Sequence, residues 1–93
     1  MSSTQIAMQG LVKGTVQGVF FRASTQRQAQ LLGLGGWVRN TADGHVEVCL
    51  TGAKERVGEM LLWLHKGPAQ AHVTHVEMDP IDCPPMQDFQ IRR

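Results

Sequence analysis

Between Gly14 and Arg22 the chain reads GTVQGVFFR, two glycines and a cation within nine residues. The stretch joins a run of strand character to a run of helical periodicity, so its far end is a helix N-terminus. There the first four backbone N–H groups lack intrahelical partners and the macrodipole is positive, which stabilises an anion. Glycine lets the backbone curl until successive N–H groups converge on a tetrahedral oxyanion, and Arg22 adds a planar fork of donors. The spacing equally accommodates a glycine-rich strand-to-helix turn with an exposed arginine. No G-x-x-x-x-G-K-S/T phosphate loop is present.

A second stretch, GWVRNTADG over Gly36–Gly44, places Asn40 just before a hairpin turn. An asparagine there caps local backbone with its side chain. Alternatively its carboxamide, with donors and an acceptor, holds a water and a phosphoryl oxygen together. Local sequence leaves both roles open.

The elements that must position these groups follow from hydrophobic period. Ile6, Met8 and Val12 sit at even spacing in Ile6–Lys13, a strand with one buried face. Phe21, Thr25, Ala29 and Leu32 recur at helical spacing, with Gly33 as the C′ residue. Trp37–Asn40 and His45–Leu50 are β-rich runs flanking a turn with Asp43 and Gly44, a hairpin. In its second arm Val46, Val48 and Leu50 face one way and His45, Glu47 and Cys49 face outward. Val57, Met60, Leu61 and Leu64 mark an amphipathic helix from about Ala53 to Lys66, ended by Gly67 and Pro68. Ala71–Met78 reads as a fourth strand, and a proline-rich connection leads to a short last one, Phe89–Arg92. The order β, α, β, β, α, β plus a short strand predicts an α+β, ferredoxin-like split βαβ sandwich. Its antiparallel sheet carries two helices on one face.

The 93 residues suit a single domain over 1–93, and 42% hydrophobic with 18% charged residues is the balance of an ordinary globular protein. The N-terminus lacks a basic segment followed by an apolar one, and the longest run of large apolar residues is Met60–Leu64. A signal peptide and a membrane span are therefore not expected. Cys49 and Cys83 are expected as buried or free thiols in a reduced, cytoplasmic setting. The net charge of +1 conceals segregation: residues 1–42 carry Lys13, Arg22, Arg27 and Arg39 and no acid, whereas residues 43–93 carry five basic and eight acidic residues. Such asymmetry favours an anionic partner for the first half. Arg22 is the basic residue on the anion loop; Lys13, Arg27 and Arg39 are expected to add a weaker, salt-screened attraction.

GTVQGVFFR resembles the acylphosphatase signature G-x-V-Q-G-V-x-F-R, and GWVRNTADGHVE resembles that family's second signature, G-x-V-x-N-x-x-D-G-x-V-E. The likeness continues through LGLGGWV and the ending DFQIRR, covers essentially the whole chain, and is weakest in IDCPPMQ. It implies the same sandwich and hydrolysis of acyl phosphates to carboxylate and inorganic phosphate. It also implies that backbone N–H groups of Gln17, Gly18, Val19, Phe20, Phe21 and Arg22 cradle the phosphate. The catalytic residues implied are Arg22, binding phosphate by its side chain, and Asn40, positioning the attacking water. No metal, cofactor or covalent intermediate is implied, and the expected partners are a small acyl phosphate and the phosphate product, with no nucleic acid or membrane, for a monomer. Elementary chemistry agrees with so sparse a site. The leaving carboxylate has a conjugate-acid pKa near ~4 to 5, so it departs without a strong general acid, and phosphoryl transfer needs mainly positioning and charge stabilisation.

Other constellations carry less. Cys49 to Arg56 is C-x6-R, one residue too long for a cysteine phosphatase loop. Glu55 and Glu59 read as a solvated helix face, and a zinc site from His72, His75 and Cys83 requires two histidines that a strand sends to opposite sides. An RNA-binding sandwich would need exposed aromatics on its central strands, and the chain has five aromatics and no tyrosine.

Overall fold

The computed structural model describes residues 4–18 and 20–92. Its elements follow one another as β1 (Gln5–Thr15), α1 (Phe21–Leu31), β2 (Gly35–Asn40), β3 (Val46–Ala53), α2 (Lys54–Lys66), β4 (His72–Pro80) and β5 (Phe89–Arg92). The strands form one sheet in the order β4-β1-β3-β2-β5. Neighbours among the first four are antiparallel, and β5 joins β2 in parallel, so the sheet is mixed at that edge.

Period explains which side chains meet. Val12, Val38, Val46, Val48 and Leu50 point from the strands to the side where the helices lie and are fully buried. From α1 come Phe21, Thr25 and Ala29, and from α2 Val57, Met60 and Leu64, the stripes that the spacing predicts. Each large apolar side chain so buried contributes about 1.5–3 kcal/mol relative to exposure. α1 covers β2 and β5, while α2 covers β4, β3 and β1. This division sets the N-terminus of α1 at the β2–β5 side of the molecule, where the hairpin turn also lies. α1 ends as expected, with Gly33 in the left-handed region at φ 69°. In α2, Glu55 lies in the first turn and His65 and Lys66 in the last, both signs complementing the macrodipole.

Cys49 is a buried free thiol, within what was expected of it, and what buries it is not the core between sheet and helices. Alternation sends Cys49 to the face away from the helices, but that face is not open there. The connection over residues 81–88 folds back across it: the Ile81 N–H donates to the Ala7 carbonyl at 3.0 Å, the Met86 N–H to Thr51 Oγ1 at 2.9 Å, and the Gly36 N–H to the Asp88 carbonyl at 2.9 Å. Cys49 is thereby left 2% exposed and Thr51 1%. Burial, and then the neighbouring Cys83 thiol, push the Cys49 thiol up to about 11. Both cysteines are free thiols. At neutral pH a protonated, covered thiol is a poor nucleophile. Iodoacetamide is therefore expected to alkylate the half-buried Cys83 first and Cys49 only after denaturant is added. Peptide mapping that finds Cys49 modified first in the folded protein would contradict this packing.

Candidate active site

The loop from β1 to α1 is shaped at two residues. Gly18 has φ 75°, and a Cβ built on it would meet no atom within 4 Å, so glycine is used there for its dihedral freedom and not for space. Phe20, the N-cap of α1, is also left-handed at φ 58°, ψ 24°. The first helical bond runs from the Ser24 N–H to the Phe20 carbonyl at 2.9 Å. The N–H groups of Phe21, Arg22 and Ala23 therefore precede that bond, no side chain caps them, and no acid stands in the first turn. The arrangement favours an anion at this helix end. Phe21 anchors it: its ring is 1% exposed and packs against Trp63 of α2 with centroids 6.0 Å apart.

Gln17 does something the sequence reading does not foresee. Its carboxamide Nε2 donates to two backbone carbonyls of the β2–β3 turn, Thr41 at 2.9 Å and His45 at 2.7 Å. The loop is thus fastened to the hairpin that ends in Asn40. The turn itself is closed by its own groups. The Thr41 N–H donates to the His45 carbonyl at 2.9 Å and the His45 N–H to Thr41 Oγ1 at 3.1 Å. The Thr41 hydroxyl donates to Asp43, whose carboxyl it holds below the ordinary carboxylate range.

Since these bonds close the turn, Asn40 is not spent on capping it. Its Oδ1 is buried and has no hydrogen-bond partner among the described residues. A buried acceptor left unpaired costs about 1–3 kcal/mol, which a bound water or ligand donor would relieve. Of the two roles open to this asparagine, the structure disfavours turn capping.

Asn40 and Arg22, one from the end of β2 and one from the first turn of α1, line the same cleft of about 290 Å³. Gly18, Phe20 and Phe21 line it as well, with Val16, Ala23 and Ile91. Of the expected phosphate-cradle residues, Gln17 is not on the cleft wall, and Val19 lies outside the described residues. Arg22 Nη1 donates to the backbone carbonyl of Arg92 at 3.3 Å, so the last strand steadies the guanidinium from the far side. The guanidinium of Arg92 lies 5.1 Å from the ring centre of Trp37. The contribution of β5 to this wall had no local signal beyond the DFQIRR ending, because it depends on which edge of the sheet β5 joins.

The basic first half divides accordingly. Lys13 pairs with Glu77 at 3.2 Å and Arg39 with Glu47 at 2.6 Å, so two of the cations expected to attract substrate are offset by acids of the second half. Arg22 faces no carboxylate within ion-pair distance among the described residues. The same residues hold no cluster of three or more His, Cys, Asp or Glu arranged for a metal ion.

The family model described as Acylphosphatase matches residues 8–91 of this chain. An acylphosphatase of Nitrosococcus oceani is 46% identical over 82 residues, covering 88% of this chain and 92% of that protein. One of Halorhodospira halophila is 44% identical over 91 residues, covering 98% and 99%. Among solved structures, an acylphosphatase from Coxiella burnetii superposes with a TM-score of 0.91 at 38% identity, over 95% of this chain and 93% of that one.

The Gln17 bridge is testable by itself. In Gln17→Glu the side chain cannot donate and meets two carbonyl oxygens, so urea unfolding is expected to show a loss of about 1–3 kcal/mol. Unchanged stability would mean the two bonds do not hold loop to hairpin.

Proposed function

The chain belongs to the acylphosphatase family and hydrolyses acyl phosphates, and from that premise we propose that Asn40 positions the attacking water while Arg22 and the loop amides hold the phosphoryl group. The water oxygen attacks phosphorus in line with the acyl oxygen. The bond from phosphorus to that oxygen breaks, and its electron pair departs with the carboxylate. One water proton stays on the attacking oxygen and the other passes to a phosphoryl oxygen, giving carboxylate and inorganic phosphate. Phosphorus goes directly from acyl oxygen to water, with no covalent enzyme intermediate.

What supports this reading is that Arg22 and Asn40 line one cleft from elements eighteen positions apart in sequence. Backbone N–H groups of Gly18, Phe20, Phe21 and Arg22 form the described part of the cradle in this proposal, and Arg22 neutralises the equatorial oxygens. The carboxylate leaves with a conjugate-acid pKa near ~4 to 5, so the step requires neither a general acid nor a metal to make the leaving group viable. Asn40 supplies orientation, its amide able to accept from the water and donate to a phosphoryl oxygen.

We further propose that residues 1–93 form one domain, acting as a cytoplasmic monomer on a small-molecule substrate, without nucleic acid or membrane. Among the described residues no helix is long and apolar enough to cross a membrane. On the sheet face away from the helices, Arg92 lies over Trp37, which leaves that ring a poor platform for base stacking.

With benzoyl phosphate in excess chelator, turnover is expected to persist undiminished. Asn40→Ala should lower kcat by roughly 10² to 10⁴ while still binding inorganic phosphate, and Arg22→Ala should weaken phosphate binding as well. Loss of activity on chelation would refute the metal-free route, and full turnover by Asn40→Ala would refute its role.

A further inference from the structure

Two of the exposed large apolar side chains stand at the mouth of the cleft that holds Arg22 and Asn40. Phe20 is 80% exposed, and Ile91 of β5 is 40% exposed. Phe20 is also the one non-glycine residue with positive φ among those described. A bulky side chain resists that conformation, and its ring gains no burial in exchange, since it is left in water. The neighbouring Phe21, by contrast, is spent on the core. Ile91 sits opposite Val38 in the parallel β2–β5 pair, on the side of the sheet where α1 lies. With Val16 and Ala23 these two give the cleft an apolar wall, against a polar side of Arg22 and Asn40.

We propose that Phe20 and Ile91 form the subsite for the acyl portion of the substrate and select small apolar acyl groups, flat aromatic ones above all. The inference rests on the hydrolytic reading above, because the anhydride oxygen ties the phosphoryl group to the acyl carbon. A phosphoryl group seated against Arg22 must send its acyl group outward through the mouth that Phe20 and Ile91 border. Apart from Arg22, no charged side chain among the described residues lines the cleft to receive a second ionic group. An aromatic ring on the Phe20 face gains stacking and loses apolar contact with water, whereas a methyl group gains little of either. The cleft volume of about 290 Å³ has room for a phosphoryl group with a compact acyl group beside it.

Calorimetry with non-hydrolysable benzylphosphonate and methylphosphonate reads the subsite without chemistry, and kcat/KM for benzoyl and acetyl phosphate reads it in turnover. The intact protein should bind benzylphosphonate ~3- to 10-fold more tightly, the scale of one aromatic contact. Phe20→Asn keeps a residue tolerant of the left-handed conformation and removes the ring. It and Ile91→Ala should each bring both ratios towards those of an unselective site, and Ile91→Ala, which lies outside the phosphate cradle, should keep methylphosphonate binding within about threefold of the intact protein. Equal binding of the two phosphonates by the intact protein, or a preference that survives both variants, overturns the subsite even where both acyl phosphates are hydrolysed. A protein that shows the binding preference, loses it in the variants and yet hydrolyses neither substrate supports the subsite and overturns the hydrolytic reading instead.

Discussion

The proposed reaction depends on one constraint: two short segments far apart in sequence must be held at a fixed distance for an anion and a water to meet. The carboxamide of Gln17 does this with two bonds, reaching from the β1–α1 loop to carbonyls on either side of the β2–β3 turn. The sheet alone would not suffice, since β1 and β2 are not neighbours and β3 lies between them. Strand pairing brings the loop and the turn to one end of the sheet. Gln17 then removes the remaining freedom between them, which is the freedom that positioned chemistry cannot tolerate.

Around that bridge each group has a reason for its place. The helix starts at Phe21, which buries its ring against the core and so fixes the direction of the first N–H groups. Arg22 follows immediately and is steadied by the Arg92 carbonyl, a neutral partner that leaves its charge available. The hairpin turn closes on Thr41, His45 and Asp43, which frees Asn40 from local service. Acids of the second half are arranged compatibly: Glu77 and Glu47 pair with Lys13 and Arg39 along the strands, away from the cleft lining. The positive field at the site is therefore a local property of the loop, the helix end and Arg22 more than of the whole basic segment.

Much of this was legible in the sequence. Hydrophobic period predicts both helices and the order of elements along the chain, because a buried face dictates the repeat of the residues that line it. The two motifs point to Arg22 and Asn40, which the structure brings to one cleft. What could not be read were features that depend on tertiary placement. Cys49 alternates outward, but the non-periodic 81–88 connection, free of any repeat that would announce its path, folds over it. Ile91 and Arg92 reach the site because β5 adds in parallel to β2, an edge choice that four residues cannot specify. The side-chain bonds of Gln17 span 24 and 28 positions, beyond any local pattern. For Asn40 the local sequence left capping open as a role, and only the turn's own bonds show that other groups close it.

The central claim is that Gln17 serves the reaction by holding the loop to the strand end that carries Asn40. A double-mutant cycle in kcat with Gln17→Ala, Asn40→Ala and the combined variant tests it directly, because groups acting through one another are not additive. The account predicts that Gln17→Ala slows the intact protein, yet slows the Asn40→Ala background by no more than ~3-fold. Two losses that simply multiply would show that Gln17 and Asn40 act independently, and would contradict it.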